Sequence, residues 1–527
     1  MKRTLTSPKF WLMAAIVLIT GAILSALDEG NWLRGWLAYS LLLGLGVGSL
    51  GLAWRILSPE RPAASAAITA FVVRLVSGVA LTLLLPVIGY ANNIEHRAGY
   101  VFTDAYNRDN QAWELATSDD PLSAAFSGDY DSDQYGGMLG LSALLYRFIS
   151  PDAHRAMLLL TLNASAAAWG VLFVWKVSRS WFGDKTAAFA AWAFAIYPEN
   201  VLLTSSQMRE ALIIPAVALT MYAYTQFRAR QRGWWGWLAL AALILFPIQP
   251  LAGFAALGVL AGFWLFDPAS LQGSSHRKSL LTAGIILAVG AVVLLVAGAI
   301  LANLPSVQSA GPFGALLTWL RNNFTFQTYL AERASGMLQK LLDGMPEQLH
   351  WLVILVYGIA QPVLPAMVGD PEAIWFMRLI GVLRAIGWYA LAPFLVYAVT
   401  GVVRLKQDPR RWQLLWLSLV SWAWIAISAW NAGGDQWDNP RYRTILLAWL
   451  VVLAGWAWSW ARQRKDAWLG RWLAVEAVFV LIFTEWYLGR YYPGFPHLDI
   501  QVMIAATLII TALILGGGWL WDRYKQK

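Results

Sequence analysis

The chain has 527 residues, of which 58% are hydrophobic and 13% charged, against about 25% charged in a soluble globular domain. That composition excludes a soluble enzyme and a disordered chain, and the absence of cysteine excludes disulfides, thiolate zinc sites and cysteine nucleophiles. In so apolar a chain, a net charge of +9 points to membrane orientation rather than to nucleic acid.

A membrane span needs ~20 mostly apolar residues, because its backbone polar groups must be bonded within the segment. The sequence therefore predicts an all-α, polytopic membrane protein with about 14 transmembrane helices. They fall near 10–28, 36–54, 64–90, 154–178, 186–203, 209–228, 233–249, 251–267, 279–303, 376–403, 412–430, 444–462, 470–490 and 498–521. The first run follows Met-Lys-Arg as a signal peptide would, but it has no convincing small-residue cleavage site and reads as a retained anchor.

Placing the N-terminus in the cytoplasm gathers most of the 39 basic residues into compact inner clusters. Lys2, Arg3 and Lys9 come first, then Arg55 and Arg61, then Lys176, Arg179 and Lys185, and Arg228, Arg230 and Arg232. Arg277 and Lys278, Arg404 to Arg411, Arg462 to Arg471, and Arg523 to Lys527 complete the set. This is the positive-inside pattern, and it requires that 349–368, interrupted by Pro362 and Pro365, lie along the outer face. Both termini are then cytoplasmic, as expected for a multi-pass protein of a plasma (inner) membrane. The 32 tryptophans mostly follow span ends as an interfacial belt.

Two external segments, about 91–153 and 304–375, are longer than the ~12–15 residues of a plain connection and are expected to be functional. The first holds ten of the 30 acidic residues, among them Asp104, Asp109, Asp129, Asp131 and Asp133. Its TDAYNRDNQAWELA reads as a surface helix, with Ala105, Ala112, Leu115 and Ala116 on the apolar side and Asp104, Arg108 and Glu114 toward water. Asp104 near its start suits a helix cap and a general base alike. In DYDSDQYGG, the spacing of Asp129, Asp131 and Asp133 fits either a hard-oxygen site for a divalent cation or a solvated loop. MLGLSALLYRF then reads as a second interfacial helix.

Arg209 and Glu210 stand at the outer start of the sixth span, and Arg441, Tyr442 and Arg443 at the outer start of the twelfth. External arginines at span ends run against the positive-inside rule, and a guanidinium fork there suits a lipid phosphate. Arg74, Arg384, Glu476 and Glu485 lie within spans, where charge is costly. The histidines show no zinc-protease spacing, and there is no Walker A loop, GxSxG elbow or dinucleotide fingerprint.

Together these stretches resemble the GT-C superfamily of integral-membrane glycosyltransferases, which includes protein O-mannosyltransferases and the aminoarabinose transferase of lipid A. Arg74 lies in a span before a long outer loop. That loop opens with TDAYNRDNQAWELA, similar to the family's acid, tyrosine and A-x-x-L-A helix, and continues with DSDQYGGMLGLSALLYRF. SSQMREALI and NPRYRTILLAWL are similar to the family's later arginine turns. The resemblance divides the chain into two accessory N-terminal helices (1–63), a catalytic core (64–465) and a C-terminal hairpin (466–527).

What the resemblance implies is transfer of a sugar from a polyprenyl-phosphate donor to an acceptor hydroxyl on protein, lipid or glycan, with inversion, at the outer face of the membrane. Arg209, Arg441 and Arg443 would hold the donor phosphate, with Glu210, Tyr442 and Asp109 in support. Asp104 is followed by alanine where the family often has an acidic pair, so the base is Asp104 or a downstream aspartate such as Asp133. Asp129, Asp131 and Asp133 would bind magnesium or manganese, or Asp131 and Asp133 would orient the acceptor. Membrane lipid is the remaining partner. Two other readings share the outer arginines: a polysaccharide polymerase or ligase of the O-antigen type, which does not need the acidic loop, and a lipid-linked sugar flippase or transporter, which is expected to show internal repeats.

Overall fold

The computed structural model describes residues 8–266 and 346–526, apart from 128, 131, 406–407 and 433–434, together with the single positions 311, 314, 318 and 342. The expected span 279–303, Asp131 and most of the second external segment lie outside the described residues. No strand occurs among the described residues. The chain divides into two compact units, Met1–Gly253 and Phe254–Lys527.

The first unit begins with α1 (Pro8–Ala26), α2 (Trp32–Leu57) and α3 (Arg61–Ile88). The first long loop carries α4 (Ile94–Arg97), α5 (Thr103–Thr117), a 3-10 turn at Leu122–Phe126, and α6 (Gly137–Ile149). Then follow α7 (Met157–Phe182), α8 (Asp184–Ile196), α9 (Pro198–Thr204), α10 (Glu210–Arg228) and α11 (Trp234–Ile248). At the centre stands α7, packed by α2, α3, α8 and α10.

Lipid is as apolar as leucine, so helices in a bilayer associate through close contact of small residues rather than by hydrophobic burial. Ala164, Ala167, Ala168 and Gly170 give α7 such a face, and all are buried. A Cβ on Gly170 would come within 2.9 Å of the Phe194 ring and 3.2 Å of Pro215.

The expected span at 186–203 is broken. Tyr197 precedes Pro198, a position pushed out of the helical region, and α8 ends there with Tyr197 at ψ 117°. A helix end leaves carbonyls without partners. Arg74, 0% exposed on α3, supplies donors: Nη1 reaches the Ala195 carbonyl at 2.7 Å and that of Ala70 at 3.2 Å, and Nη2 reaches Phe194 at 3.4 Å. Asn200 Nδ2 adds a bond to the Phe194 carbonyl at 2.9 Å. The intramembrane charge noted in the sequence is thus a cation at the negative end of a helix.

The second unit takes in most of α12 (Pro250–Leu265), then α13 (Glu347–Ala360), α14 (Leu364–Gly369), α15 (Trp375–Arg404), α16 (Arg411–Asn431), α17 (Asp438–Thr444), α18 (Leu447–Arg464), α19 (Ala467–Tyr491) and α20 (Ile500–Gln526). Segment 349–368 forms two short helices, as the proline interruption predicts. The 14 residues of α13 extend only about 21 Å, short of the ~30 Å hydrocarbon core. In α19 and α20, Leu481, Leu508 and Leu513 are more than half exposed, the pattern of a helix whose solvent is lipid.

Within the described residues each expected span coincides with a helix, or with two in the case of 186–203. Among the described residues seven helices are long and apolar enough to cross a membrane (α2, α3, α7, α15, α16, α19 and α20), and α17 with α18, bent by 73°, adds an eighth if taken as one span. The protein is an all-helical, multi-pass membrane protein.

Replacing Gly170 with leucine overpacks the α7–α8–α10 contact and is expected to cost about 1–3 kcal/mol, read as a lowered unfolding midpoint in detergent. Gly258→Ala, at a site with nothing within 4 Å of the added carbon, serves as the control and should leave the midpoint unchanged.

Candidate active site on the first long loop

The face of α5 that turns inward carries Ala105, Arg108, Asp109, Ala112, Leu115 and Ala116. The four apolar positions are those the periodicity predicts. Arg108 differs: expected in water, it is 2% exposed. Its Nη1 donates to the Gln207 carbonyl at 3.4 Å, and its Nε lies 4.0 Å from Asp133 Oδ1. A guanidinium met by a carbonyl and a carboxylate has lost its reason to stay in water.

Asp133, 3% exposed, holds the start of α6. Its Oδ2 accepts the Met138 and Leu139 amides at 3.0 and 2.9 Å, two of the donors that a helix N-terminus leaves unpaired. The chain reaches that geometry through Gly136, whose φ of +73° and proximity to the Ala125 carbonyl admit no side chain. Asp133 therefore links α6 to α5 through Arg108. Asp129 is exposed and accepts from Ser127 Oγ at 2.8 Å. Asp129 and Asp133 thus have separate partners, and Asp131 lies outside the described residues. Among the described residues no group of three or more His, Asp or Glu side chains gathers around a metal position.

Asp109 is the hub of the loop. Tyr100 Oη donates to its Oδ2 at 2.6 Å, Tyr146 Oη to its Oδ1 at 2.5 Å, and His154 Nε2 lies 2.9 Å from Oδ2. Burial first, and then the neighbouring carboxylate, push both tyrosine hydroxyls well above their ordinary range, so they remain donors. The imidazole of His154 stacks on Trp113 with ring centres 5.3 Å apart. The sequence reading missed Tyr100, Tyr146 and His154. They stand 9, 37 and 45 residues from Asp109, and no local pattern joins them to it.

The end of the loop is tied to the turn between α1 and α2. Arg155 donates to both oxygens of Asp152 at 2.9 Å and to the Asn31 carbonyl at 3.0 Å, while the Asn31 amide donates to Asp152 at 3.1 Å. Hydrogen bonds from Arg155 pull the Asp152 carboxyl down to about 2.

Within this frame Asp104 occupies the first turn of α5 and is exposed. Residues four apart share a helix face, so Asp104 stands one turn from Arg108 and on its side. Arg108 in turn touches Gln207, two residues before Arg209. Arg209 caps the start of α10 beside Glu210, with Nε 3.9 Å from Glu210 Oε1. Its guanidinium carbon lies 5.8 Å from the centre of the Tyr135 ring, and its Nε has no hydrogen-bond partner among the described residues.

In the second unit, Arg441, Tyr442 and Arg443 lie on α17. Side chains two apart on a helix do not face each other, so the two arginines diverge. Arg443 serves the end of α13: its Nη2 donates to the Gln361 carbonyl at 2.7 Å and its Nη1 to Ile359 at 3.3 Å, and its guanidinium carbon lies 3.5 Å from the centre of the Trp388 ring. Asn439 Nδ2 adds a bond to Gly358 at 2.6 Å. Arg441, 3% exposed, pairs with Asp438 at 3.3 Å and lies 5.6 Å from the centre of the Tyr442 ring.

Residues 153–297 match the family profile of dolichyl-phosphate-mannose-protein mannosyltransferase. Over that stretch the chain is similar to a mannosyltransferase family of the GT-C type, an independent counterpart of the resemblance read from the motifs. Among solved structures, the archaeal oligosaccharyltransferase AglB from Archaeoglobus fulgidus, in complex with an inhibitory peptide and a dolichol-phosphate, matches with 16% identity and a TM-score of 0.35. The apo form of the Archaeoglobus fulgidus oligosaccharyltransferase matches with 15% identity and a TM-score of 0.36. In each case the alignment covers 85% of this chain and 54% of the other, so the chain spans about half the length of these structures. No curated protein matches the chain.

Two outcomes follow from these contacts. Asp133→Ala strands Arg108 without its carboxylate and removes the cap of α6; breaking a buried pair in this way costs about 3–5 kcal/mol, and limited proteolysis should then cut within 118–136. The second concerns acid. A carboxyl held at about 2 against an ordinary 3.8 stabilises the fold fully above the higher value, and that contribution is lost as pH falls toward the lower one. Protection against hydrogen exchange at 28–34 and 150–156, relative to the intrinsic rate at each pH, should therefore fall as pH drops from about 4 to about 2, and Asp152→Asn should show the lower protection already at neutral pH.

Proposed function

We propose that the protein is a membrane glycosyltransferase that moves a sugar from a polyprenyl-phosphate donor to an acceptor hydroxyl at the outer face of the plasma membrane, with inversion at the anomeric carbon. The observation that carries this reading is the line from Asp104 through Arg108 and Gln207 to Arg209. It sets an exposed carboxylate and a guanidinium on adjoining segments of one rigid framework. Arg74 and Arg443 spend their donors on backbone carbonyls and Arg155 donates to both oxygens of Asp152, whereas Arg209 is backed by an aromatic face and a carboxylate at 3.9 Å. Its donor fork suits a phosphate.

In this mechanism Asp104 takes the proton of the acceptor hydroxyl as its oxygen forms a bond to the anomeric carbon, and the bond to the lipid phosphate oxygen breaks on the opposite face. Arg209 neutralises the charge that develops on the departing phosphate, a preorganised electrostatic contribution of the kind that usually dominates. Arg443 fixes α17 and acts as a positioning residue, as do Asp109 and Asp133 for the loop. No step is routed through a divalent cation, because Asp133 already balances Arg108 and the start of α6. The match of residues 153–297 to a family that uses a dolichyl-phosphate sugar supports the donor class.

Asp104→Asn should lower kcat for transfer from a polyprenyl-phosphate sugar by about 10²–10⁴-fold while leaving the unfolding midpoint of the purified protein unchanged. Arg209→Gln should raise KM for the lipid donor as well as lower kcat. Full transfer by Asp104→Asn would overturn the assignment of the base, and donor sugar translocated with no glycosidic bond formed would overturn the reaction class.

A further inference from the structure

The hairpin of α1 and α2 is close-packed at one end and open at the other. At the closed end a Cβ on Gly21 would run into Ser40 Oγ and one on Gly35 into Ser25 Oγ, and Trp36 Nε1 donates to the Leu18 carbonyl at 2.9 Å. Toward the other end the helices part: a Cβ on Gly44 would meet only Val17, at 3.9 Å, and one on Gly48 or Gly51 would meet nothing within 4 Å. The splay opens a cleft of about 680 Å³ walled by Phe10, Met13 and Val17 on one helix and by Gly48 and Leu52 on the other, with Arg55 at its end. Phe10, Met13 and Leu52 are exposed at its rim.

Three properties of the cleft define its occupant. Its walls are apolar, and no acidic residue is among the described residues that line it. Arg55 is exposed and makes no side-chain hydrogen bond or ion pair among the described residues. From Gly44 to Arg55 the helix rises about 16 Å, close to half of the ~30 Å hydrocarbon core. An apolar slot one leaflet deep, closed inside the membrane and ending on an unpaired guanidinium at its rim, matches a lipid chain with an anionic head. A neighbouring apolar helix would offer Arg55 nothing, and a zwitterionic head would bring its own cation.

We propose that this cleft seats one acyl chain of an anionic phospholipid, with the lipid's phosphate on Arg55. The site lies on the two N-terminal helices and does not involve Asp104 or Arg209. The test uses the full chain in phosphatidylcholine bilayers doped with a photoreactive phosphatidylglycerol, or with phosphatidylcholine carrying the same diazirine chain, and adducts mapped by mass spectrometry. Adducts are expected on 8–18 and 44–55, with the anionic lipid favoured about fivefold, the worth of one basic residue at an anionic headgroup. Arg55→Gln should abolish that preference, and Gly48→Leu, at a position where an added Cβ meets nothing within 4 Å, should fill the cleft and suppress labelling by both lipids. Equal labelling of the wild-type protein by the two lipids, adducts only elsewhere on the chain, or undiminished labelling in a folded Gly48→Leu protein would each overturn the proposal. The wild-type comparison decides the matter even where a variant fails to fold.

Discussion

A helix that ends inside a packed membrane protein leaves carbonyls that neither lipid nor water will satisfy, and the positions of two buried arginines, Arg74 and Arg443, follow from that constraint. Arg74 meets the end of α8 and Arg443 meets the end of α13, each through two donors on carbonyls. Both helix ends are made by proline: Pro198 stops α8, and Pro362 follows the last turn of α13. The breaks free short helices to turn within each unit, and the guanidinium groups make those breaks tolerable. Without the arginines, the same prolines would leave unpaired carbonyls in each unit.

The loop between α3 and α7 obeys the same logic with the signs reversed. Asp109 and Asp133 are carboxylates taken out of water, and each is met by several donors: two tyrosines and a histidine for one, two helix amides and a guanidinium for the other. The loop thereby becomes a fixed platform of two helices rather than a flexible connection. A base must be held close to the geometry of the reaction to be useful. Asp104 is exposed at the tip of this platform while its neighbours one turn away are locked. The buried carboxylates hold the loop, and Asp104 is among the carboxylates that stay exposed on it.

The same distinction sorts the arginines. A guanidinium whose donors go to backbone carbonyls is part of the frame, and one that faces a ring and a distant carboxylate has donors to offer. Arg443 belongs to the first kind and Arg209 to the second, although in the sequence both are external arginines at the start of a span. Spacing could not separate them, because the carbonyls of Ile359 and Gln361 lie more than 80 residues from Arg443. Arg108 makes the same point: charge and helical periodicity put it in water, and the Gln207 carbonyl, 99 residues away, took it inside.

Hydropathy by itself determined that this is a helical, many-spanned protein, where its helices lie, and that a long acidic loop with two helices of its own interrupts them. Those properties are local: a run of apolar side chains must enter lipid whatever the rest of the chain does, and a proline stops a helix through its own ring. Only the tertiary structure decided which charges are structural and which are available, since a polar group's fate depends on the partners that distant segments bring to it. The carboxylate of Asp109 is a hub because Tyr100, Tyr146 and His154 close around it, whereas Asp104, on the same helix, stays exposed.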